Sequence, residues 1–142
     1  LQREMLELVE KDAEVFEPLS KAYGLPKETE EERKKKEQIL EEALKLACSV
    51  PIKIMEKAIE AIDLHEELAQ KGTRIAISDV GGGVLFCKSA LMGASLNVYI
   101  NTSLMKDRDY AVKINSLTEK MLDEGSKKAD RIYREVEAGI KG

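Results

Sequence analysis

The chain's longest passage poor in charge is Asp79-Val80-Gly81-Gly82-Gly83-Val84-Leu85-Phe86-Cys87-Lys88-Ser89-Ala90-Leu91-Met92-Gly93-Ala94-Ser95-Leu96-Asn97-Val98-Tyr99-Ile100-Asn101-Thr102-Ser103-Leu104-Met105. After Asp79 its one charged side chain is Lys88, in a protein that is 35% charged. The run is too long for a strand and lacks alternation of period two, so it predicts a helix. It is apolar on nearly every side, which predicts a central helix buried all round. Polar groups inside such a helix need partners, because an unpaired buried amide or hydroxyl costs roughly 2–7 kcal/mol. Lys88, Asn97 and Asn101 are therefore the first candidates for function.

At about 100° per residue, Asp79, Gly83, Ala90, Gly93, Asn97 and Asn101 fall in one narrow band of this helix. Small residues then flank a carboxylate and two amides, as in a groove that receives a flat ligand or another backbone. Lys88 points the opposite way, and snorkels, pairs with a buried acid such as Asp12, or joins the site. Ser78-Asp79 is a plausible N-cap. Gly81-Gly82-Gly83 is neither a dinucleotide fingerprint, which needs a strand before it, nor a P-loop, which needs a following Lys-Ser/Thr.

Outward from this stretch the periodicity is helical throughout. Met5, Leu8, Val9, Val15, Phe16, Leu19, Ala22 and Tyr23 form an apolar stripe that Gly24-Leu25-Pro26 ends. Asp12 stands in the middle of that stripe, four residues from both Leu8 and Phe16, where a solvated carboxylate does not belong. It is either a structural partner of Lys88 or a helix end, or a proton carrier. A carboxyl held among apolar groups takes and releases protons nearer neutrality than a solvated one.

Thr29 with Glu32 reads as a capping box for a second helix whose buried face is Ile39, Leu40, Ala43, Leu44 and Ala47. Pro51 then starts a new helix or kinks this one, and Ile52, Met55, Ile59 and Ile62 resume the stripe up to Gly72. A last helix opens at Asp107 and carries Tyr110, Ile114, Leu117, Met121, Ala129, Ile132 and Val136. The expected architecture is all-α, a single domain over 1–142: an up-and-down helix bundle around a long buried central helix.

Composition narrows the function. Net charge is −4 and the basic residues are interleaved with acidic ones, so no nucleic-acid surface is marked. Lys88, the asparagines and the glycines make 79–105 a poor membrane span. His65, the only histidine, has no partner at metal-ligand spacing, and no metal site is expected. Cys48 and Cys87 sit in apolar helical patterns and read as reduced thiols of a cytoplasmic protein.

Five phrases, in order, resemble one family. They are Val9-Glu10-Lys11-Asp12-Ala13-Glu14-Val15-Phe16, Leu25-Pro26-Lys27, Ser49-Val50-Pro51, Ile77-Ser78-Asp79 and Leu96-Asn97-Val98-Tyr99-Ile100-Asn101. Together they are similar to the formiminotetrahydrofolate cyclodeaminase family, which includes methenyltetrahydrofolate cyclohydrolases, over essentially the whole chain. The resemblance implies a homodimeric cytoplasmic enzyme of one-carbon metabolism, with a tetrahydrofolate derivative as substrate and no cofactor. It implies closure of formiminotetrahydrofolate to the methenyl form with loss of ammonia, the cyclohydrolase reaction being the alternative. A non-catalytic helical scaffold is the reading from another class. The resemblance also implies that Asp12 is catalytic and that Asp79, Asn97 and Asn101 lie near the folate; Lys88 is a further candidate for holding it. The family's N-terminal helices, with a Pro-Gly-Gly-Gly-Ser segment that helps line the site, have no match in these residues, so the domain is expected to lack them.

Overall fold

The computed structural model describes residues 1–73 and 76–142. Four helices follow one another: α1 (Gln2–Tyr23), α2 (Glu30–Lys71), α3 (Ile77–Leu104) and α4 (Arg108–Lys141). No strand occurs among the described residues. Each helix packs on its neighbours in sequence, and α2 also touches α4.

The hub is α2, not the uncharged helix. At 42 residues and 1.5 Å per residue it is about 63 Å long, and it carries contacts to all three other helices. Its first turn is set by the expected capping box: Thr29 Oγ1 accepts from the Glu32 N–H at 3.1 Å, and Glu32 Oε2 accepts from the Thr29 N–H at 3.1 Å. Such a cap contributes about 1 kcal/mol. Leu44, Met55 and Ile62 of α2 are completely buried, each contributing roughly 1.5–3 kcal/mol of burial. Gly24 and Gly72 close α1 and α2 where expected.

Pro51 neither starts nor ends a helix. It lies inside a continuous α2, where a proline ordinarily costs about 3 kcal/mol. Packing on three helices outweighs that local cost, so of the two expectations for Pro51 the start of a new helix is not met.

The expectation that the uncharged helix is buried all round fails in this chain. Val84, Leu91, Ala94 and Val98 of α3 enter the core, whereas Phe86 is 79% exposed, Leu96 67% and Ile100 62%. Among the described residues α3 alone is long and apolar enough, by length and composition, to cross a membrane. Here it shares that apolar surface between the core and an open band. Periodicity cannot divide an all-apolar helix into faces, so the mistake is one of reading burial from composition alone. The α3 N-cap is also displaced: the helix begins at Ile77, with Ala76 at the cap and no side-chain bond, rather than at Ser78-Asp79.

The α3–α4 turn is strongly tied. Glu41 of α2 accepts from the backbone N–H groups of Lys106 and Asp107 at 2.9 and 3.0 Å. Asp107 caps α4 by accepting from the Tyr110 N–H and pairs with Lys45 at 2.7 Å. Arg108 donates back to the carbonyls of Thr102 and Met105 at the end of α3. Along the α3–α4 seam, Gly125 permits close approach: a Cβ there would fall 2.5 Å from Leu91 Cδ2.

Candidate active site

α1 and α3 both lie on α2, and their backbones do not approach each other. Three helices arranged in this way leave a groove with α2 as its floor. A cleft of about 140 Å³ occupies it. Asp12, Val15 and Phe16 of α1 form one wall, Asn97, Ile100 and Asn101 of α3 the other, and Ala47 and Pro51 of α2 the floor.

The stripe on α1 explains how Asp12 arrives there. Leu8, Leu19 and Ala22 are buried against α2, while Phe16, expected to join them, stands 59% exposed on the cleft wall. Asp12 lies between these two groups, half-buried, with its carboxyl on the groove. On the opposite wall Asn101 donates from Nδ2 to the backbone carbonyl of Asn97, one turn back, at 2.9 Å. A carbonyl only accepts, so one of the two amide N–H groups of Asn101 is engaged, and its other N–H and its acceptor oxygen Oδ1 face outward from that bond. Asn97 is exposed at the rim.

No lysine, arginine or histidine lines this cleft. Its polar equipment is one carboxylate and two carboxamides, set between apolar side chains. Such a surface suits a flat ligand head whose edge carries both hydrogen-bond donors and acceptors, with the carboxylate favouring positive charge beside it.

The remaining two candidates lie elsewhere. Asp79 is exposed in the first turn of α3, about 27 Å along the helix from Asn97. Lys88 pairs with Asp130 of α4 at 2.7 Å. Its partner is therefore an acid, but a partly exposed one on the far side of α3 from Asp12. The small-residue band splits in the same way: His65 packs its Nε2 against Gly83, leaving no room for a side chain, whereas Gly93 faces open space.

Asp12, Asn97 and Asn101 are thus brought together. Phe16, Ile100, Ala47 and Pro51 also line the cleft, although pattern reading assigned them to core or to a helix break. The signal that could have found the floor is the spacing itself, since Pro51 stands four residues after a small residue on the face that meets α1.

The two thiols are free. Burial pushes the Cys48 thiol up to about 11 and raises that of Cys87, so both are poor nucleophiles. His65 Nδ1 lies 2.7 Å from the Ala61 carbonyl and 4.0 Å from Cys87 Sγ. Among the described residues no cluster of three or more His, Cys, Asp or Glu could hold a metal ion.

Comparison with known proteins shows which proteins the chain is similar to. A methenyltetrahydrofolate cyclohydrolase of Methylorubrum extorquens is 37% identical over 99% of this chain and 67% of its own length. The formimidoyltransferase-cyclodeaminase of Rattus norvegicus is 31% identical over 95% of this chain, which spans 25% of that protein. The crystal structure of a formiminotetrahydrofolate cyclodeaminase from Thermotoga maritima superposes with a TM-score of 0.70 and 27% identity, covering 96% of this chain and 62% of that one. A sequence profile described as formiminotransferase-cyclodeaminase matches residues 1–120. The chain belongs to the formiminotransferase-cyclodeaminase family.

Proposed function

We propose that this protein transforms the one-carbon group held between N5 and N10 of tetrahydrofolate, with Asp12 as the group that moves the proton. The observation that carries this reading is the cleft: a half-buried carboxylate faces Asn97 and Asn101 across an apolar groove that no cation lines. The methenyl bridge is an amidinium cation, and a carboxylate at its edge stabilises it and the charge shifts around it.

The 37% identity to a cyclohydrolase favours hydrolytic opening. Water adds to the bridge carbon while Asp12 takes its proton, giving a tetrahedral carbon that bears a hydroxyl and both nitrogens. The bond from carbon to N5 then breaks, Asp12 returns the proton to N5, and the hydroxyl proton leaves to solvent as the formyl carbonyl forms on N10. One positive charge enters and one proton departs.

Ring closure with loss of ammonia is the second reading, favoured by the Rattus and Thermotoga relatives. N10 attacks the protonated formimino carbon and passes its proton to Asp12. Asp12 delivers it to the amino group, and ammonia leaves behind the methenyl cation. Both reactions cross the same kind of tetrahedral carbon, so one carboxylate serves either.

Supplying each folate while following the methenyl chromophore and free ammonia separates them. Loss of the chromophore without ammonia is expected; ammonia from the formimino substrate establishes the second reaction. Inertness toward both folates defeats the proposal and leaves the scaffold reading. Activity should survive metal chelation, in keeping with a cytoplasmic enzyme that uses no cofactor. The proposed assembly is a homodimer, supported by the exposed apolar band of α3 at Phe86, Leu96 and Ile100; light scattering at twice the chain mass is the expected result.

A further inference from the structure

Phe16 breaks the pattern of its own helix. Leu8, Leu19 and Ala22 of the same stripe are buried, while Phe16 stands 59% exposed on the wall of the cleft. Leaving so large an apolar ring in water forfeits the gain of burying it. Asp12 lines the same wall one turn earlier, about 6 Å along the helix axis. Aromatic side chains on a helix lean back over the turn that precedes them, which carries the Phe16 ring toward Asp12. Elsewhere in the chain an aromatic ring holds a cation: Lys45 Nζ lies 4.6 Å from the centre of the Tyr110 ring. Phe16 has no such occupant from the cleft lining, which contains no lysine, arginine or histidine. At about 140 Å³ the cleft is smaller than the roughly 300–1,000 Å³ that encloses a whole ligand. It therefore grips one part of a larger molecule.

We infer that Phe16 binds the bridge cation: its ring face receives the charged ring of methenyltetrahydrofolate, while the Asp12 carboxylate, one turn back, meets the same charge at its edge. The face of a phenyl ring is negative through its quadrupole, so it attracts a delocalised cation without needing a hydrogen bond. The ring also keeps water from that side of the bridge, and charges attract more strongly where water is thinned. Tetrahydrofolate has the same pterin and the same glutamate tail but lacks the bridge charge. Contacts to those shared parts cannot tell the two ligands apart, whereas Phe16 and Asp12 can. This inference rests on the folate reading above and adds to it a residue that selects the cationic form.

The test compares Phe16→Leu, which keeps an apolar side chain and removes the ring, with Phe16→Tyr, which keeps the ring. For each, kcat and KM are measured with the methenyl form, beside the inhibition constant of tetrahydrofolate. If the protein runs only the ring closure, the inhibition constant of the methenyl product takes the place of its KM. Phe16→Leu is expected to weaken binding of the methenyl cation about tenfold, as for a partly desolvated cation–π contact, and that of tetrahydrofolate by no more than about twofold. Hydration neutralises the bridge, so the lost contact belongs to the bound cation and kcat should not fall. Phe16→Tyr is expected to keep the parent's preference for the cation. Equal weakening toward both ligands in Phe16→Leu overturns the inference, because Phe16 is then only an apolar wall. So does unchanged binding in the folded Leu variant, a Tyr variant that behaves like Leu, or failure of both variants to fold by circular dichroism. If the parent protein neither binds nor turns over any tetrahydrofolate, the underlying functional reading fails, a result distinct from all of these.

Discussion

The two flanks of α3 are built on opposite principles. Toward α4 the helix is closed: Leu91 fills the space left by Gly125, Thr102 donates to Asn115 Oδ1 at 2.6 Å, and Lys88 is paired with Asp130. Toward α1 it is open, with no backbone approach and with large apolar side chains and the Asn97 carboxamide left exposed. The closed flank satisfies its polar groups within the chain, as stable interiors do. The open flank leaves them for something else, which is how a binding surface differs from a core. Polar residues on one helix therefore carry different meanings according to the flank they face.

The sharpest way to break this contrast is at Asp12. Asp12→Asn is expected to reduce turnover by about 10²–10⁴-fold, the range for a lost acid–base group, with the fold and folate affinity retained. Circular dichroism and equilibrium binding beside the rate would check it. Loss of the fold would move Asp12 to the closed, structural class.

Next in size is the seam. Gly125→Val would drive a side chain into Leu91, which is completely buried, and Ile59, at a cost of about 1–3 kcal/mol. On the open side the same residue type behaves oppositely. Gly93→Ala meets no atom within 4 Å and should stabilise the helix by about 0.5–1 kcal/mol. Denaturant midpoints moving in opposite directions would confirm that the two flanks differ in packing.

Lys88→Met tests the polar side of the comparison. Its pair with Asp130 is partly exposed, 26% and 44%, so solvent screens it and the loss should stay below about 1 kcal/mol. Turnover within about twofold of the parent is expected; a large fall in kcat would return Lys88 to the active site.

The helical class, the helix ends at Gly24, Gly72 and Asp107, the capping box and the out-of-place Asp12 were readable in the residues, because each is a local matter of period, cap or breaker. What was not readable is which side of an element meets another. α3 carries apolar residues all round, so its sequence contains no direction, and the expectation of complete burial followed from composition. Lys88 and Asn97 were correctly assigned to opposite sides of one helix, yet the partner of Lys88 could not be named, since Asp130 lies 42 positions away on another helix. Pro51 shows the same limit. Local rules read it as a helix start or a kink, and packing on three helices carries α2 through it without a new start. Its place in the cleft emerges only when the floor is seen to be α2.

The smallest expected effect concerns the turn that holds the closed flank in place. Hydrogen bonding from Lys45, and then from the Tyr110 N–H, holds the Asp107 carboxyl below the usual carboxylate range. A group whose folded value is depressed contributes stability that is present above its ordinary value and lost as pH falls through the folded one. For Asp107 the loss begins near the ordinary aspartate value of 3.8 and continues below it. Lys45 also lies over the Tyr110 ring, 4.6 Å from its centre, and that contact survives protonation of Asp107. Acid should therefore weaken the α4 cap without releasing the turn entirely. Asp107→Ala is expected to lower the thermal midpoint at pH 6 by a few degrees, and the difference from the parent should shrink toward zero as both are taken below pH 3. A difference that stays constant with pH would mean that the carboxylate charge plays no part in closing this flank of α3.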